Sequence, residues 1–352
     1  MLTKKQILEI REHLEKAQNP VFFYDNDADG LCSFLLLRKY IGRGYGVAIR
    51  SYPDLDASYI KKAEQLKADY LFVLDKPLTS NAFMEEADSM QLPLVWIDHH
   101  KISKSEISKI KNKNFHFYNP TLNKGKENSS EPASYLAYNI ADRKEDIWIA
   151  LLGCIADHYK PDFADEFGKR YPEFWGKEIK EPFDVYYRTE IGRIALALNF
   201  GLKDSISHVV QLQNFLISCK SPNDVFVELE INKQFRDKYD EIRKKYTQLL
   251  KEAKESESGK VVSLIYGGDM SISADLSNEL SYLYSEKYVL VAYKKGNITN
   301  ISMRGKNVRA VLEKILKKIE NATGGGHENA VGSRIRTEDL DKFQELLEKF
   351  IK

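Results

Sequence analysis

Short apolar runs alternate with helix-patterned stretches over the first half of the chain. VFFYD (21–25), YLFVLD (70–75) and LVWID (94–98) are each built from Val, Leu, Ile, Phe, Tyr or Trp and each ends in aspartate. Contiguous apolar runs of this length are expected of strands covered on both faces of a parallel sheet. Alternation with helices then predicts an α/β, doubly wound parallel-sheet domain over residues 1–160, opened by the amphipathic helix MLTKKQILEIREHLEKA. In such sheets ligands sit outside the carboxyl ends of the strands, which is where the three terminal aspartates fall.

The pattern changes after residue 160. Pro161, Pro172, Pro182 and Pro222 interrupt short helical pieces rich in Phe, Tyr and Trp, predicting a helical insertion over 161–232. Phe235, Tyr239, Ile242, Tyr246, Leu249 and Ala253 recur in steps of three and four, predicting one long connector helix over 233–258 that ends at KESESG (254–259). A smaller α/β domain over 259–352 follows, with strands at 261–266, 288–293 and 297–304 and helices near 275–285, 307–321 and 338–350.

Composition narrows the function classes. The 352 residues carry 53 Lys plus Arg and 52 Asp plus Glu, a net charge of +1, which argues against a strongly basic duplex-coating protein. The longest apolar stretch, Ile147 to Ala156, falls short of the roughly 18 residues of a membrane span. Cys32, Cys154 and Cys219 are odd in number and widely spaced, so a disulfide framework is not expected and a reducing, cytoplasmic setting is.

The candidate chemistry is a set of acids and imidazoles at predicted strand and helix ends: Asp25, Asp27 and Asp29 in DNDADG, Asp75 in VLDKP, Asp98, His99 and His100 in sequence, and Asp157 with His158 closing GCIADH. Each alone has a plainer reading as a cap, a turn or a calcium loop. The EF-hand reading fails, because the twelfth residue from Asp25 is Leu36 and not a bidentate Glu. Gathered in one crevice, the carboxylates would repel one another and require cations. Hard oxygen donors with histidine suit Mn²⁺ or Mg²⁺, and two such ions can clamp a phosphoryl oxygen for in-line displacement.

In that order the motifs DNDADG, VLDKP, DHH (98–100) and GCIADH resemble those of the DHH phosphoesterases, which include RecJ-like nucleases and nanoRNases. ISMRG (301–305) followed by GGGHENAVG (324–332) is similar to the signature of the family's C-terminal DHHA1 domain. The resemblance covers both ends of the chain and leaves about 160–255 unmatched. It implies that Asp27, Asp29, Asp75, His99 and Asp157 hold two manganese ions, with Asp75 bridging. His100 would stand beside the metals, holding a phosphate oxygen or donating a proton to the leaving oxygen. Many relatives have a histidine two or four residues before the equivalent of Asp27. This chain has Asp25 and Phe23 there, so Asp25 is expected as a substitute ligand. No family role falls to His158.

In the second domain the resemblance implies that Arg304, Gly324, Gly325, Gly326 and His327 bind substrate. Read as a loop, the three glycines let backbone N–H groups approach a phosphate, and a guanidinium fork matches its geometry. Residues 294–318 hold eight Lys or Arg and one acid, Glu313, a bias suited to guiding a polyanionic strand. The aromatic insertion reads as a small core before it reads as a base-stacking surface, and YGGD (266–269) receives no function.

The expectation is a metal-dependent phosphodiesterase, a RecJ-like exonuclease working on single-stranded DNA or RNA, or short oligonucleotides, from one end. A two-domain clamp closes around an end more readily than around a continuous strand. Three alternatives stand beside it. The first is a small-substrate enzyme: a nanoRNase, a 3′-phosphoadenosine phosphatase or a cyclic-dinucleotide hydrolase. The second is a non-enzymatic replication-complex scaffold, for which a replication or repair protein would be the partner. The third is a pyrophosphatase of related fold, which the GGGH and ISMRG segments disfavour.

Overall fold

The structure, a computed structural model, describes residues 1–51, 53–102, 114–176, 179–255, 257 and 259–351. The chain divides into two compact units, Met1–Tyr239 and Asp240–Lys352. Residues 161–232 therefore belong with the first unit. The connector forms as one helix, Lys233–Glu255, running from one unit into the other. Ser256 and Ser258 of its expected end lie outside the described residues.

The first unit is built on five parallel strands, β1 (Pro20–Asp25), β2 (Tyr45–Ile49), β3 (Tyr70–Leu74), β4 (Leu94–Ile97) and β5 (Phe115–Tyr118), in the order β2-β1-β3-β4-β5. The apolar runs behave as their composition dictates: β1, β3 and β4 are buried almost throughout. On one face Val21, Phe23, Val73 and Trp96 pack with Phe83 and Ile60. On the other, the Phe22 ring stacks on Phe72 and the Tyr24 ring on Phe34. Because the chain leaves β1 for β2 on one side and crosses to β3 on the other, the switch point of the sheet lies between β1 and β3, and its crevice opens at their carboxyl ends.

Two glycines let the helices behind this crevice close up. A Cβ on Gly30 would meet the Asp25 carbonyl oxygen at 2.4 Å, so only glycine lets the Ala28–Ile41 helix start directly against the end of β1. A Cβ on Gly153 would meet Ser134 at 2.5 Å and Cys32 at 3.0 Å. Its absence lets the Ile147–Ala156 helix draw Asp157 toward the same crevice.

The second unit is a mixed sheet of β6 (Val261–Gly267), β7 (Tyr288–Lys295), β8 (Ile298–Arg304), β9 (Thr323–His327) and β10 (Ala330–Arg336), ordered β6-β7-β8-β10-β9. Leu290, Ala292, Ile301, Met303 and Val331 form its core with Leu312, Ile315 and Phe343 from two helices. The glycine segment, expected as a loop, is instead the edge strand β9, paired antiparallel with β10. Among the described residues no helix is long and apolar enough to cross a membrane.

Candidate metal centre and substrate strand

β1, β3 and β4 each lead into an acid at the crevice, and neighbouring groups fix these acids and the ones that follow in place. Asp27 caps the Ala28–Ile41 helix, its Oδ1 accepting the Gly30 N–H at 2.9 Å. Two residues later Asp29, buried, reaches to another helix: its two oxygens accept the N–H groups of Ala133 and Ser134 at 2.8 and 2.9 Å. These are first-turn donors of the Ala133–Ala141 helix, which has no side-chain cap of its own. Asp75 follows β3 in the left-handed conformation, φ 57°, at a cost of about 1 kcal/mol for a residue with a Cβ. Its N–H still continues the sheet ladder to the Ile97 carbonyl at 3.0 Å.

His99 is the hub. Its Nε2 lies 3.2 Å from Asp75 Oδ1, 3.8 Å from Asp157 Oδ2 and 4.0 Å from Asp29 Oδ2. Burial holds its pKa below the ordinary imidazole value, so the ring is neutral and its nitrogen is free to be a ligand. Asp29, His99 and Asp157 offer one set of converging ligand atoms, and Asp75, His99 and His100 a second. Asp75 Oδ1 is buried, and no hydrogen bond satisfies it. A buried carboxyl oxygen 3.2 Å from an imidazole nitrogen yet without a hydrogen bond is the arrangement a cation resolves. The residues present thus fit a divalent metal.

The acids also raise one another. Asp75 and Asp157 are pushed well above the usual carboxylate range, by burial first and then by Asp29 and Asp27. Asp27 keeps an exposed surface, yet the protein packed around its carboxyl, with Asp25 and Asp29, pushes it up to about 7.

Two acids are neutralised from within the chain. Asp98, fully buried, accepts from His100 Nδ1 at 2.9 Å and from the His100 N–H at 3.0 Å. Asn119 donates both to Asp98 Oδ2 at 3.2 Å and to the His100 carbonyl at 2.9 Å, locking the pair. Burial alone would lower His100, but the Asp98 hydrogen bond and charge, with Asp157 and Asp27, raise it to about 9. Asp25 is held by the buried Lys76, whose Nζ lies 2.9 Å from Asp25 Oδ1 and 3.2 Å from the Ser51 carbonyl. Asp25 and Asp27 both stand outside the two sets of converging ligand atoms. His158, at φ 53°, turns its ring onto Phe183 at 4.2 Å.

Sequence reasoning did not reach Lys76, Asn119 or the capping role of Asp29. Signals existed for the first two: Lys76 directly follows Asp75 in VLDKP, and Asn119-Pro120 punctuates the end of β5.

In the second unit, Arg304 at the end of β8 donates from Nε to Asn278 at 2.7 Å and from a terminal nitrogen to the Met303 carbonyl at 2.8 Å. Ala330 pairs with Arg304 on one side and with His327 on the other. Arg304 and His327 therefore share one row and one face, two strand spacings or roughly 10 Å apart. Residues 323–327 are all exposed, Gly326 has φ 139°, and a Cβ on Gly325 would meet nothing within 4 Å.

Comparison with known proteins follows the same division. The DHHA1 domain family matches residues 258–352. A RecJ from Thermus thermophilus solved with Mn²⁺ is similar at TM-score 0.66 and 12% identity over 98% of this chain and 54% of that one. The chain thus spans about half the length of that protein. An exonuclease RecJ bound to manganese matches at TM-score 0.66 and 14% identity, over 99% and 94%. Residues 258–352 thus belong to the DHHA1 domain family, and the chain as a whole shares the fold of these two structures. Within that fold family a pGpG-specific phosphodiesterase, PggH, from Vibrio cholerae is similar at TM-score 0.52 and 12% identity, over 95% and 99%. At these identities the likeness establishes the shared DHH and DHHA1 architecture. No curated protein sequence matches the chain.

Proposed function

We propose that this chain is a divalent-cation-dependent phosphodiesterase that removes nucleotides from one end of single-stranded DNA, RNA or short oligonucleotides. The observation that carries this reading is the charge balance of the crevice. Lys76 answers Asp25 and His100 answers Asp98, leaving Asp29, Asp75 and Asp157 around a neutral His99, with Asp27 in the same acidic cluster. Four uncompensated carboxylates match two divalent cations. These five residues would hold them, and Mn²⁺ or Mg²⁺ suits the mixed oxygen and imidazole donors. When bound, such ions polarise a phosphoryl oxygen and generate a nucleophile at neutral pH.

The remaining steps belong to the chain. His100, kept protonated at neutral pH by Asp98, donates a proton to the departing sugar oxygen, and Asn119 prevents the pair from rotating away. Asp98 itself is fully occupied by donors and works through His100. In the second unit Arg304 and His327 contact phosphate from one face of the sheet, and the side-chain-free stretch Gly324–Gly326 admits the strand close to backbone N–H groups. Asp25, being tied to Lys76, keeps the end of β1 in register and is not proposed as a ligand.

Likeness to PggH, described as specific for pGpG, favours a second reading in which the preferred substrate is only a few nucleotides long. A timed digest of end-labelled DNA and RNA, from dinucleotide to long single strands, with Mn²⁺ or Mg²⁺, tests both. One-nucleotide ladders that need a free end and a divalent cation support the first reading, and a sharp preference for the shortest substrates supports the second. Equal cutting of circular and linear strands contradicts both.

A further inference from the structure

The outer edge of the first sheet carries a surface that the proposed reaction leaves unused. Among the described residues β2 has no neighbour on its far side, and beside it lies a groove of about 560 Å³ reaching the Ile206–Ser218 helix. Its walls are mainly apolar, and three of its residues are large and exposed: Tyr45 at 51%, Ile206 at 66% and Val210 at 42%. Scattered single apolar residues are ordinary on a surface, but several around one concave groove mark an interaction site.

The groove is also one-signed. Arg38, Arg50 and Lys62 line it, and among the described residues no acidic side chain does. Their hydrogen bonds go to neutral acceptors: Arg38 to the Gly44 carbonyl, Arg50 to the carbonyls of Leu202 and Asp204, and Lys62 to Gln65. An apolar floor with three cations lacking carboxylate partners calls for an occupant in which apolar and acidic groups alternate.

The chain itself presents such a segment. Val227, Glu228, Leu229, Glu230 and Ile231 are consecutive and all exposed, the three apolar side chains at 48%, 46% and 56%. Nothing in their own unit covers them, yet they are held in shape. Buried Asn232 donates to the carbonyls of Val225 and Val227 and accepts the Leu229 N–H. Ordering entropy is thus already spent before any encounter. Glu228 has one ion pair, at the 4.0 Å limit, with Arg236.

We infer that the chain self-associates, the Val227–Ile231 segment of one copy seating in the β2 groove of another. Groove-to-groove pairing is disfavoured, because it would set Arg38, Arg50 and Lys62 against their own images. Groove-to-segment pairing instead sets Glu228 and Glu230 against those cations and buries Leu229 and its neighbours on the apolar floor. Both surfaces lie in the unit Met1–Tyr239.

Sedimentation velocity on the full chain from roughly 1 to 100 μM, at low and high salt, tests this. Expected is a mass that rises with concentration, with association about tenfold weaker in Val210→Glu, Lys62→Glu and Glu230→Lys. The double variant Lys62→Glu with Glu230→Lys should recover most of the loss, since it restores opposite charges across the contact. Circular dichroism of each variant separates lost association from lost fold. A monomer at every concentration overturns the inference, as does association untouched by these variants or a double variant no better than its parents.

Discussion

The two ends of the chain solve opposite problems. At the rim of the first sheet, charges are buried and braced by neighbours on several different elements: Asp29 holds two N–H groups of a distant helix, Asp98 holds His100, and Lys76 holds Asp25. On β9 of the second sheet, Gly324, Gly325, Gly326 and His327 lie open on an edge strand held mainly through β10. The first arrangement braces each charge from more than one element, as the proposed phosphoryl chemistry requires. The second leaves a permissive surface suited to gripping a backbone that repeats. Changes in the first region should therefore abolish turnover, and changes in the second should weaken binding.

The largest effect is expected at Asp75. Asp75→Asn removes the charge of a buried oxygen that no hydrogen bond satisfies, and should lower kcat by roughly 10³-fold or more while releasing Mn²⁺, measured by single-turnover digestion and metal titration. Should Asp75→Asn keep both, the crevice is not the reaction centre. Next comes His100→Ala, with a loss in kcat of about 10²- to 10⁴-fold and little change in metal binding. In the metal-free chain Asp98, with Asp157 and Asp27, raises His100 to about 9; cations on Asp157 and Asp27 lower it from there, so kcat should fall as pH rises toward that value, a limb absent from His100→Ala.

In the second unit the contrast is read from KM. Arg304→Ala or His327→Ala should raise KM about tenfold with kcat changed far less, since a binding contact made equally in ground and transition states affects KM alone. An equal loss in kcat would erase the division of labour argued above. Gly325→Val is the finer probe: a Cβ there meets nothing, so thermal stability should move by less than about 0.5 kcal/mol while KM rises.

A stability measurement sharpens the same contrast. Asp27, Asp75 and Asp157 have raised pKa values in the folded, metal-free chain, so it retains protons that the unfolded chain releases above about 3.8. Stability from these groups is present below that pH and is lost as pH rises, for Asp27 through about 7. Thermal denaturation should show Tm of the metal-free protein falling across that interval and Mn²⁺ restoring it. A flat profile would mean the acids are not crowded in solution.

How much of this was legible follows from the physics of each element. β1, β3 and β4 are covered on both faces, so their sequences are unbroken apolar runs and their terminal aspartates stand out. β2, YGVAI, and β5, FHFY, lie at the sheet edges, where partial exposure admits Gly and His and dilutes the pattern. β9 escaped because three glycines read as a loop, while cross-strand pairing with β10 makes them a strand. The candidate residues stood out because type, order and placement coincide across four motifs, although each acid or imidazole alone has plainer uses. What surrounds them was not, because an ion pair such as Asp25 with Lys76 joins positions 51 residues apart and leaves no periodic trace. That pair is why Asp25, expected from family resemblance to replace a histidine ligand, is proposed here as a structural partner of Lys76.

The account rests on four carboxylates and one imidazole being gathered for divalent cations, and calorimetric titration of the metal-free chain with Mn²⁺ tests this most directly. Two ions per chain are expected, with proton release near neutral pH as Asp27 and its neighbours ionise, and the second ion lost in Asp75→Asn. Binding of no ion at all, or binding unchanged by Asp75→Asn, would contradict it.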